Sequence, residues 1–223
     1  MRAPLLLGHR GVRGLKSYPE NSTAAFDFAL AQGCDGFEFD VRRSGDGKAV
    51  LCHDARVRRR NISTCRASTL RLPLLTDVLR RYGNSAFVDI ELKVDGLEAI
   101  VVDILREKAP RTGYVVSSFL PGVIESVHKL DSKIPLGLIC ETEEQLTRWP
   151  GLPVQYAVMH HNLARPKVLG ELRKAGKRTV IWTVNRTQEM RAMAQLGVDG
   201  IISDNPRLLV RTLRSSTTGE ESV

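Results

Sequence analysis

The sequence has few cysteines and no long hydrophobic run. Cys34, Cys52, Cys65 and Cys140 are separated by 18, 13 and 75 positions, a spacing that fits neither a zinc or redox motif nor a dense disulfide framework. We therefore expect buried thiols in a reducing cytoplasm. No apolar stretch approaches the roughly 20 residues that span a bilayer. The first apolar run stops at Gly8, too short for a signal peptide, so we expect no export.

Disorder and a fibrous repeat are also excluded by the composition, because 42% of the 223 residues are hydrophobic and 26% are charged. A chain of this length buries roughly 70% of its unfolded surface, enough to stabilise one core without disulfide or metal crosslinks. We predict a single domain over residues 1–214. Residues 215–223 are polar and lack periodicity, which predicts a disordered tail.

Acids are missing from one stretch that is rich in arginine. The formal net charge is +8, and residues 55–71, called here the arginine segment, supply six of these charges and no acid: Arg56, Arg58, Arg59, Arg60, Arg66 and Arg71. The segment has no aromatic residues between its arginines to stack bases, so nucleic acid is an unfavourable partner. A solvated loop and a surface that attracts an anionic substrate or an anionic lipid surface both remain open.

Short apolar runs alternate with helical patterns along the chain, as in parallel strands joined by crossover helices. The predicted strands are 5–9, 36–41, 49–53, 87–93, 114–118, 135–139, 156–160, 178–184 and 200–203. The predicted helices are 21–32, 74–82, 97–108, 122–130, 143–149, 166–175 and 187–196. Eight or nine strands in this length predict an α/β fold, a (β/α)₈ TIM barrel. Because 42–48 is too short for a parallel crossover, we expect a helix-free connection and a distorted barrel there.

Acidic residues lie near the ends of two predicted strands. Side chains alternate along a strand, so Glu38 and Asp40 share one face, as do Glu91 and Lys93. Acids pointing outward are the alternative, but helices cover the outside of a parallel barrel. Three carboxylates in one barrel mouth repel one another unless a cation neutralises them, and oxygen ligands suit magnesium or calcium. The pattern therefore predicts a divalent cation site.

Two histidines also follow predicted strands. For His9 and His53 taken singly, a structural role is the simplest interpretation. Together, at strand ends beside acids, they are candidates for a general acid and base, because imidazole titrates near working pH.

Eight short motifs occur in order between Leu7 and Arg207, and together they resemble the glycerophosphodiester phosphodiesterase family. They are His9-Arg10-Gly11, Pro19-Glu20-Asn21-Ser22, Glu38-Phe39-Asp40-Val41, His53-Asp54, Glu91-Leu92-Lys93, Ser117-Ser118-Phe119, Trp182-Thr183-Val184-Asn185, and the run from Gly197 to Pro206. The resemblance implies a distorted barrel similar to that of phosphoinositide-specific phospholipase C. It also implies metal-dependent hydrolysis of glycerophosphodiesters to an alcohol and sn-glycerol 3-phosphate.

Site roles follow from this resemblance at the matched positions. It implies metal ligation by Glu38, Asp40 and Glu91, acid and base catalysis by His9 and His53, and phosphate binding by Arg10 and Lys93. Glu20 is expected to orient a base or Arg10; an acid near the start of a helix is an equally simple interpretation of this residue. Trp182 and Asn185 are expected at the pocket, although a buried core position is an equally simple interpretation of Trp182.

The sequence departs from the family pattern after His53, where the arginine segment replaces a longer insertion over the active site. This leaves the substrate headgroup open, and a lysophospholipid, cleaved in a lysophospholipase D type of reaction, or a phosphoinositide is an alternative substrate. A barrel without activity that binds an acidic partner through residues 56–71 is a further alternative. We expect His160 and His161 to form a polar strand terminus.

Overall fold

The computed structural model describes residues 3–214. In chain order its strands are β1 (Leu5–Gly8), β2 (Gly36–Arg43), β3 (Ala49–Leu51), β4 (Arg56–Val57), β5 (Arg60–Asn61), β6 (Phe87–Leu92), β7 (Tyr114–Ser118), β8 (Leu136–Cys140), β9 (Tyr156–His160), β10 (Arg178–Trp182) and β11 (Gly200–Ser203). Eight of them pair in parallel in the ring order β1, β2, β6, β7, β8, β9, β10, β11, and β11 pairs back to β1. The predicted (β/α)₈ barrel is confirmed.

Helices surround this ring. They are α1 (Thr23–Ala31), α2 (Ala67–Leu70), α3 (Leu75–Tyr82), α4 (Glu98–Lys108), α5 (Pro121–Leu130), α6 (Glu143–Leu146), α7 (Pro166–Lys174), α8 (Thr187–Gln195) and α9 (Pro206–Arg214). The last of these helices, α9, was not expected; it contacts α8 and β1. None of the helices within residues 3–214 is long and apolar enough to cross a bilayer. The predicted tail, 215–223, lies outside the described residues.

The alternation of side chains in β2 explains how the barrel is both stable and polar at its mouth. Phe37 and Phe39 point outward and are fully buried against the helices, where Phe37 stacks on Phe26 with ring centroids 4.1 Å apart. Glu38 and Asp40 point into the barrel, because successive side chains of a strand face opposite sides. One strand therefore contributes to the core and to the interior of the mouth.

The third predicted strand is not part of the ring, and its expected place among the parallel strands is wrong. β3 pairs antiparallel with the end of β2, with Val41 opposite Leu51 and Arg43 opposite Ala49. A connection of a few residues allows this hairpin arrangement, whereas a parallel crossover needs a dozen or more. The connection is helix-free, as expected. The barrel is uneven at β2, because β2 forms two residue pairs with β1 and six with β6.

The arginine segment folds into a small structure at the carboxyl end of the barrel. It contains the hairpin β4–β5, a 3-10 helix over Ile62–Thr64 and α2. Ile62, Ala67 and Leu70 are buried beneath it against Val50 of β3. The two ends of the segment meet, because the Leu51 N–H donates to the Pro73 carbonyl at 2.9 Å and Val50 forms a bridge with Leu74. A hairpin was not expected here.

Candidate active site

A cleft of about 320 Å³ opens at the carboxyl ends of the barrel strands, where the catalytic groups of such barrels lie. Its lining includes two histidines, three cations, carboxylates and aromatic rings: His9, His53, Arg10, Arg13, Lys93, Glu38, Asp89, Glu91, Glu141, Phe119 and Trp182. A larger cavity of about 790 Å³ lies at the amino-terminal end of the barrel, where Asp199 is the lining acid. Because no carboxylates converge there, the smaller cleft is the candidate active site.

Three buried carboxylates form the floor of this cleft. Glu38, Asp40 and Glu91 each offer an oxygen, and these oxygens lie within 4.8 Å of one another. Burial and the neighbouring carboxylates Asp40 and Glu91 raise the pKa of Glu38 well above its usual range. Burial raises the pKa of Glu91 to about 7, although Lys93 opposes the shift. One Glu38 oxygen, Oε1, has no hydrogen-bond partner among the described residues.

This oxygen cluster fits a divalent cation. Hard cations prefer carboxylate oxygens, and a positive charge relieves the repulsion that raises these pKa values. The buried Oε1 of Glu38 has no hydrogen-bond partner among the described residues, so it is available to coordinate a cation. The three acids predicted from the sequence are therefore brought together, and their donor set suits magnesium or calcium.

Two cations border the carboxylates. Lys93 Nζ lies 2.7 Å from Glu91 Oε1 and 3.4 Å from Asp40 Oδ1, and Arg10 Nε lies 3.2 Å from Asp40 Oδ2. Burial raises the pKa of Asp40, but Lys93, Arg10 and a hydrogen bond from Asn21 outweigh it and leave this pKa lowered. Burial likewise lowers the pKa of Lys93, but Glu91 and Asp40 outweigh it and leave this pKa raised. Lys93 is thus a fixed positive charge at the cleft.

The loop after β1 holds Arg10 in an unusual backbone conformation. Arg10 has a φ of 51°, and its backbone N–H donates to Glu38 Oε2 at 3.0 Å. Its carbonyl accepts from the Asn21 N–H at 3.0 Å, and its Nη1 donates to Glu20 Oε1 at 2.8 Å. Next to it, Gly11 has a φ of 80°, and a Cβ there would lie 2.6 Å from the backbone of α1. Glu20 therefore lies in contact with Arg10, and its expected role in orienting that side chain stays a prediction.

His9 is held by a carboxylate from the opposite end of the chain. Its Nδ1 lies 2.6 Å from Asp204 Oδ1, which leaves Nε2 directed towards Glu38 Oε2 at 3.8 Å. Burial raises the pKa of Asp204, but hydrogen bonds from His9 and Asn185 outweigh it and leave this pKa lowered. Asn185 Nδ2 donates to Asp204 Oδ2 at 2.7 Å, so Asn185 supports Asp204 and is not among the residues that line the cleft.

His53 follows β3, next to the end of β2, and is more open to solvent than His9. Its Nδ1 is 2.8 Å from Asp54 Oδ1, and its side chain is 36% exposed. The hydrogen bond from His53 lowers the pKa of Asp54. The His53 carbonyl accepts from Arg42 Nε at 2.7 Å, which anchors the residue to β2. Both histidines thus have one nitrogen tied to a carboxylate.

A fourth buried carboxyl group was missed by the sequence analysis. Asp89 lies in β6 two residues before Glu91, so alternation places it on the same inward face, deeper in the barrel. Ser117 Oγ donates to Asp89 Oδ1 at 2.5 Å, and Oδ2 has no hydrogen-bond partner among the described residues. Burial raises the pKa of Asp89 to about 7, although the Ser117 hydrogen bond opposes the shift. The alternation that identified Glu91 and Lys93 would also have identified Asp89.

Aromatic side chains form another part of the cleft wall. Phe119 and Trp182 meet edge to face with centroids 5.9 Å apart, and Lys93 Nζ lies 5.7 Å from the Phe119 ring. Trp182 lines the cleft, as expected. His160 packs against Trp182 and the ring of His161, and neither histidine is among the lining residues.

Comparisons with known proteins agree with this geometry. Residues 9–78 and 73–208 match the model of the glycerophosphoryl diester phosphodiesterase family. A glycerophosphodiester phosphodiesterase of Caldanaerobacter subterraneus subsp. tengcongensis is 29% identical over 240 residues, which cover 94% of this chain and 98% of that protein. A glycerophosphodiester phosphodiesterase of Bacillus altitudinis is also 29% identical, over 92% of this chain and 96% of its own.

Solved structures share the fold over nearly the whole chain. The glycerophosphodiester phosphodiesterase of Thermotoga maritima superposes with a TM-score of 0.82 and 25% identity, covering 95% of this chain and 99% of its own. A phosphodiesterase of Oleispira antarctica, solved with the product sn-glycerol-3-phosphate, gives a TM-score of 0.83 at 24% identity, covering 94% and 96%. Since the family model matches from His9 almost to the last described residue, the chain belongs to the glycerophosphoryl diester phosphodiesterase family.

Proposed function

We propose that this protein hydrolyses glycerophosphodiesters to an alcohol and sn-glycerol 3-phosphate, with a divalent cation, magnesium or calcium, in the active site. The observation that supports this most directly is the cluster of Glu38, Asp40 and Glu91 beneath a cleft flanked by two histidines and two cations. The relatives are named for this activity, and the Oleispira antarctica structure contains sn-glycerol-3-phosphate.

Glu38, Asp40 and Glu91 would hold the cation. When bound, it would supply positive charge next to a phosphate oxygen and so stabilise the charge that develops in the transition state. Arg10 and Lys93 contribute the same kind of stabilisation from the protein, because both border the carboxylates and Lys93 also faces the cleft wall at Phe119. We assign them to phosphate binding.

His9 and His53 divide the two proton transfers. One imidazole accepts the proton of the nucleophile as it attacks phosphorus, and the other donates a proton to the alkoxide released when the P–O bond breaks. Proton exchange with solvent water then returns both histidines to their starting protonation states. The bonds of Nδ1 to Asp204 in His9 and to Asp54 in His53 leave Nε2 of each ring for these transfers. The carboxylate partners also stabilise whichever imidazole is protonated.

The arginine segment would favour capture of an anionic substrate. It begins next to His53 and carries six exposed arginines, and exposed cations near a cleft raise the local concentration of an anionic diester. We propose a small glycerophosphodiester as the substrate and place the enzyme in the cytoplasm, which the four free cysteines of the described chain support. A lysophospholipid or phosphoinositide substrate is the second candidate, favoured because the arginine segment replaces a longer insertion over the active site.

A turnover screen tests the proposal. Purified protein is incubated with glycerophosphodiesters, lysophospholipids or a phosphoinositide, with added magnesium, added calcium or excess chelator. The product measured is sn-glycerol 3-phosphate for the first class, lysophosphatidic acid for the second, and inositol or inositol phosphate for the third. We expect release from a glycerophosphodiester, its loss in chelator and its recovery with one of the ions. Full activity in excess chelator would overturn the metal assignment. Turnover of no diester under any ion would favour the non-catalytic barrel that binds an acidic partner.

A further inference from the structure

The carboxyl end of the barrel, beyond its cleft, presents exposed cations without ion-pair partners. All six arginines of the arginine segment are exposed. Within residues 3–214, none of the ion pairs involves any of these six, although Arg60 Nη1 donates to the Thr69 carbonyl at 3.3 Å. Two exposed arginines elsewhere, Arg148 and Arg165, do pair with glutamates. The charge of the arginine segment is therefore available to an outside partner.

The turn of the β4–β5 hairpin holds two of these arginines in a strained backbone conformation. Arg58 and Arg59 have φ values of 47° and 65°. Two-residue hairpin turns of this kind favour Asn-Gly, because residues with a Cβ are destabilised in the left-handed region. Strained positions of this type are found where a side chain has a function. The sequence places cations at the hairpin tip where Asn and Gly would be more stable.

Exposed leucines occur at the same end of the barrel. Among the described residues, three large hydrophobic side chains are exposed: Leu15, Leu120 and Leu130, at 45%, 41% and 43%. Leu15 lies in the loop after β1 and Leu120 lies two residues after the end of β7, so both lie at the carboxyl ends of parallel strands. Leu130 ends α5 and lies at the opposite end. In the ring order, the arginine segment after β2 therefore lies between Leu15 on one side and Leu120 on the other.

We propose that this end of the barrel docks onto an anionic lipid surface, with the arginine segment contacting the headgroups and Leu15 and Leu120 entering the interface. Arginines near an anionic bilayer bind it electrostatically, and exposed apolar side chains add binding by leaving water. The exposed acids of the half nearest β1 and β2 have partners within the protein: Glu20 pairs with Arg10 and Arg13, Asp54 with His53, and Asp46 accepts from Ser44 and the Ala67 N–H. The exposed acids Asp95, Glu141, Glu143 and Glu144 follow β6 and β8, so the half nearest β1 and β2 is the more positive one and faces the lipid. Lys16, also exposed in the loop after β1, adds to that half. The docked cleft then opens towards the membrane.

Vesicle sedimentation tests the docking without any turnover, so its result is independent of the proposed hydrolysis. The probes are vesicles of phosphatidylcholine alone and of phosphatidylcholine mixed with phosphatidylglycerol, at low and high salt. We expect the wild-type protein to bind the mixed vesicles at low salt and to be released as salt rises. No binding to mixed vesicles at low salt would overturn the proposal, as would equal binding to both compositions.

Replacement of Arg58, Arg59 and Arg60 by glutamine tests whether the arginine segment is the surface that binds the vesicles. Each arginine near an anionic surface strengthens binding roughly fivefold, so the triple variant should partition about a hundredfold less. The matched control neutralises Lys108, Arg111 and Lys129, three exposed cations at the opposite end of the barrel, and gives the same net charge. Equal losses in both variants would mean attraction by total charge and would contradict docking by this end.

Two further variants separate docking from loss of folding. Arg58→Asn with Arg59→Gly suits the turn better, so it should raise the melting temperature and still lower partitioning about 25-fold. Leu15→Gln with Leu120→Gln should weaken vesicle binding about tenfold, whereas Leu130→Gln should leave it unchanged.

An RNA oligonucleotide at the same salt serves as the competing anion. If the arginine variants lose RNA binding but keep vesicle binding, the surface serves nucleic acid and the lipid proposal is wrong.

Discussion

Asn21 and Asp40 exchange two hydrogen bonds within the buried wall of the active site. Asn21 Nδ2 donates to Asp40 Oδ2 at 2.8 Å, and the Asp40 backbone N–H donates to Asn21 Oδ1 at 3.1 Å. Asp40 is 1% exposed, so no solvent replaces these bonds. Asn21 also has a φ of 57°, a conformation that asparagine tolerates better than most residues. The amide therefore fixes the carboxylate that we propose as a metal ligand.

Replacement of Asn21 by alanine should weaken cation binding by about 10- to 100-fold, the usual effect of losing a partner of a metal ligand. The unfolding free energy should fall by about 1–3 kcal/mol, because the buried Asp40 N–H loses its acceptor. Calorimetric titration with magnesium or calcium measures the first effect and urea unfolding the second.

Ser22→Ala is the control for this prediction. Ser22 caps α1 by accepting from the Ala25 N–H at 3.3 Å and does not touch Asp40. Its loss should lower stability by about 1 kcal/mol without changing cation affinity. Equal cation affinity in Asn21→Ala and wild type would show that Asn21 does not position the site.

Asp89 should make the cation-free protein less stable as pH rises. Its pKa is about 7 in the folded state, well above the ordinary 3.8. Between these values the folded protein keeps a proton that the unfolded chain has lost, so the unfolding free energy falls as pH increases and the loss is complete above about pH 7. Asp89→Asn removes this titration, so the variant should gain stability over wild type as pH rises, by at most about 4 kcal/mol.

Urea unfolding over a pH series in chelator measures this difference. Well below pH 4, Asp89 carries its proton in both the folded and the unfolded state, so the unfolding free energies of the variant and the wild type should differ little. Asp103→Asn, in an exposed position of α4, is the control and should follow the wild-type profile. A constant difference between Asp89→Asn and wild type at every pH would contradict the raised pKa.

His9→Ala and His53→Ala should each lower kcat by about 10² to 10⁴, the usual effect of removing a positioned acid or base. Steady-state kinetics on a diester with an alkoxide leaving group measures the loss, and circular dichroism checks the fold. His128→Ala is the control, because His128 lies in α5 away from the cleft. If either active-site variant keeps the wild-type kcat, that histidine has a structural role.

Neutralising Arg58, Arg59 and Arg60 together should lower kcat/KM several-fold at low ionic strength and leave kcat nearly unchanged. These arginines are exposed, so their attraction for an anionic diester is screened, and the difference should shrink as salt rises. The variant of Lys108, Arg111 and Lys129, with the same net charge, should lose less. An equal loss of kcat at every salt concentration would make one of the three arginines a direct contact of the transition state.

Short apolar runs were sufficient to predict the barrel strands, and period-two alternation predicted three of the four inward acids. Glu38, Asp40 and Glu91 lie together because alternation fixes which face each side chain takes, and parallel strands bring their carboxyl ends to one rim. The same pattern does not report strand direction. β3 has three residues, and its antiparallel pairing with β2 follows from the short connection between them.

Partners far apart in the chain could not be predicted from local patterns. Asp204 holds His9 across 195 positions, and Asn185 in turn holds Asp204. Each follows a barrel strand, but nothing in the neighbouring sequence shows which side chain it meets. The last helix was missed although Pro206 begins it and apolar residues recur along it. The functional roles of the site residues stay predictions until the kinetic variants are measured.

The residues on either side of the segment 52–72 contact each other, and this has an evolutionary consequence. Because Leu51 and Pro73 are hydrogen-bonded and Val50 meets Leu74, the chain leaves and re-enters the barrel at one point. The part of this segment after His53 and Asp54 can be lengthened, shortened or exchanged without shifting those two residues, or β2 and β6, the strands that contribute the clustered acids. Selection can therefore modify what approaches the cleft by replacing one exchangeable module while the chemistry beneath it is inherited intact.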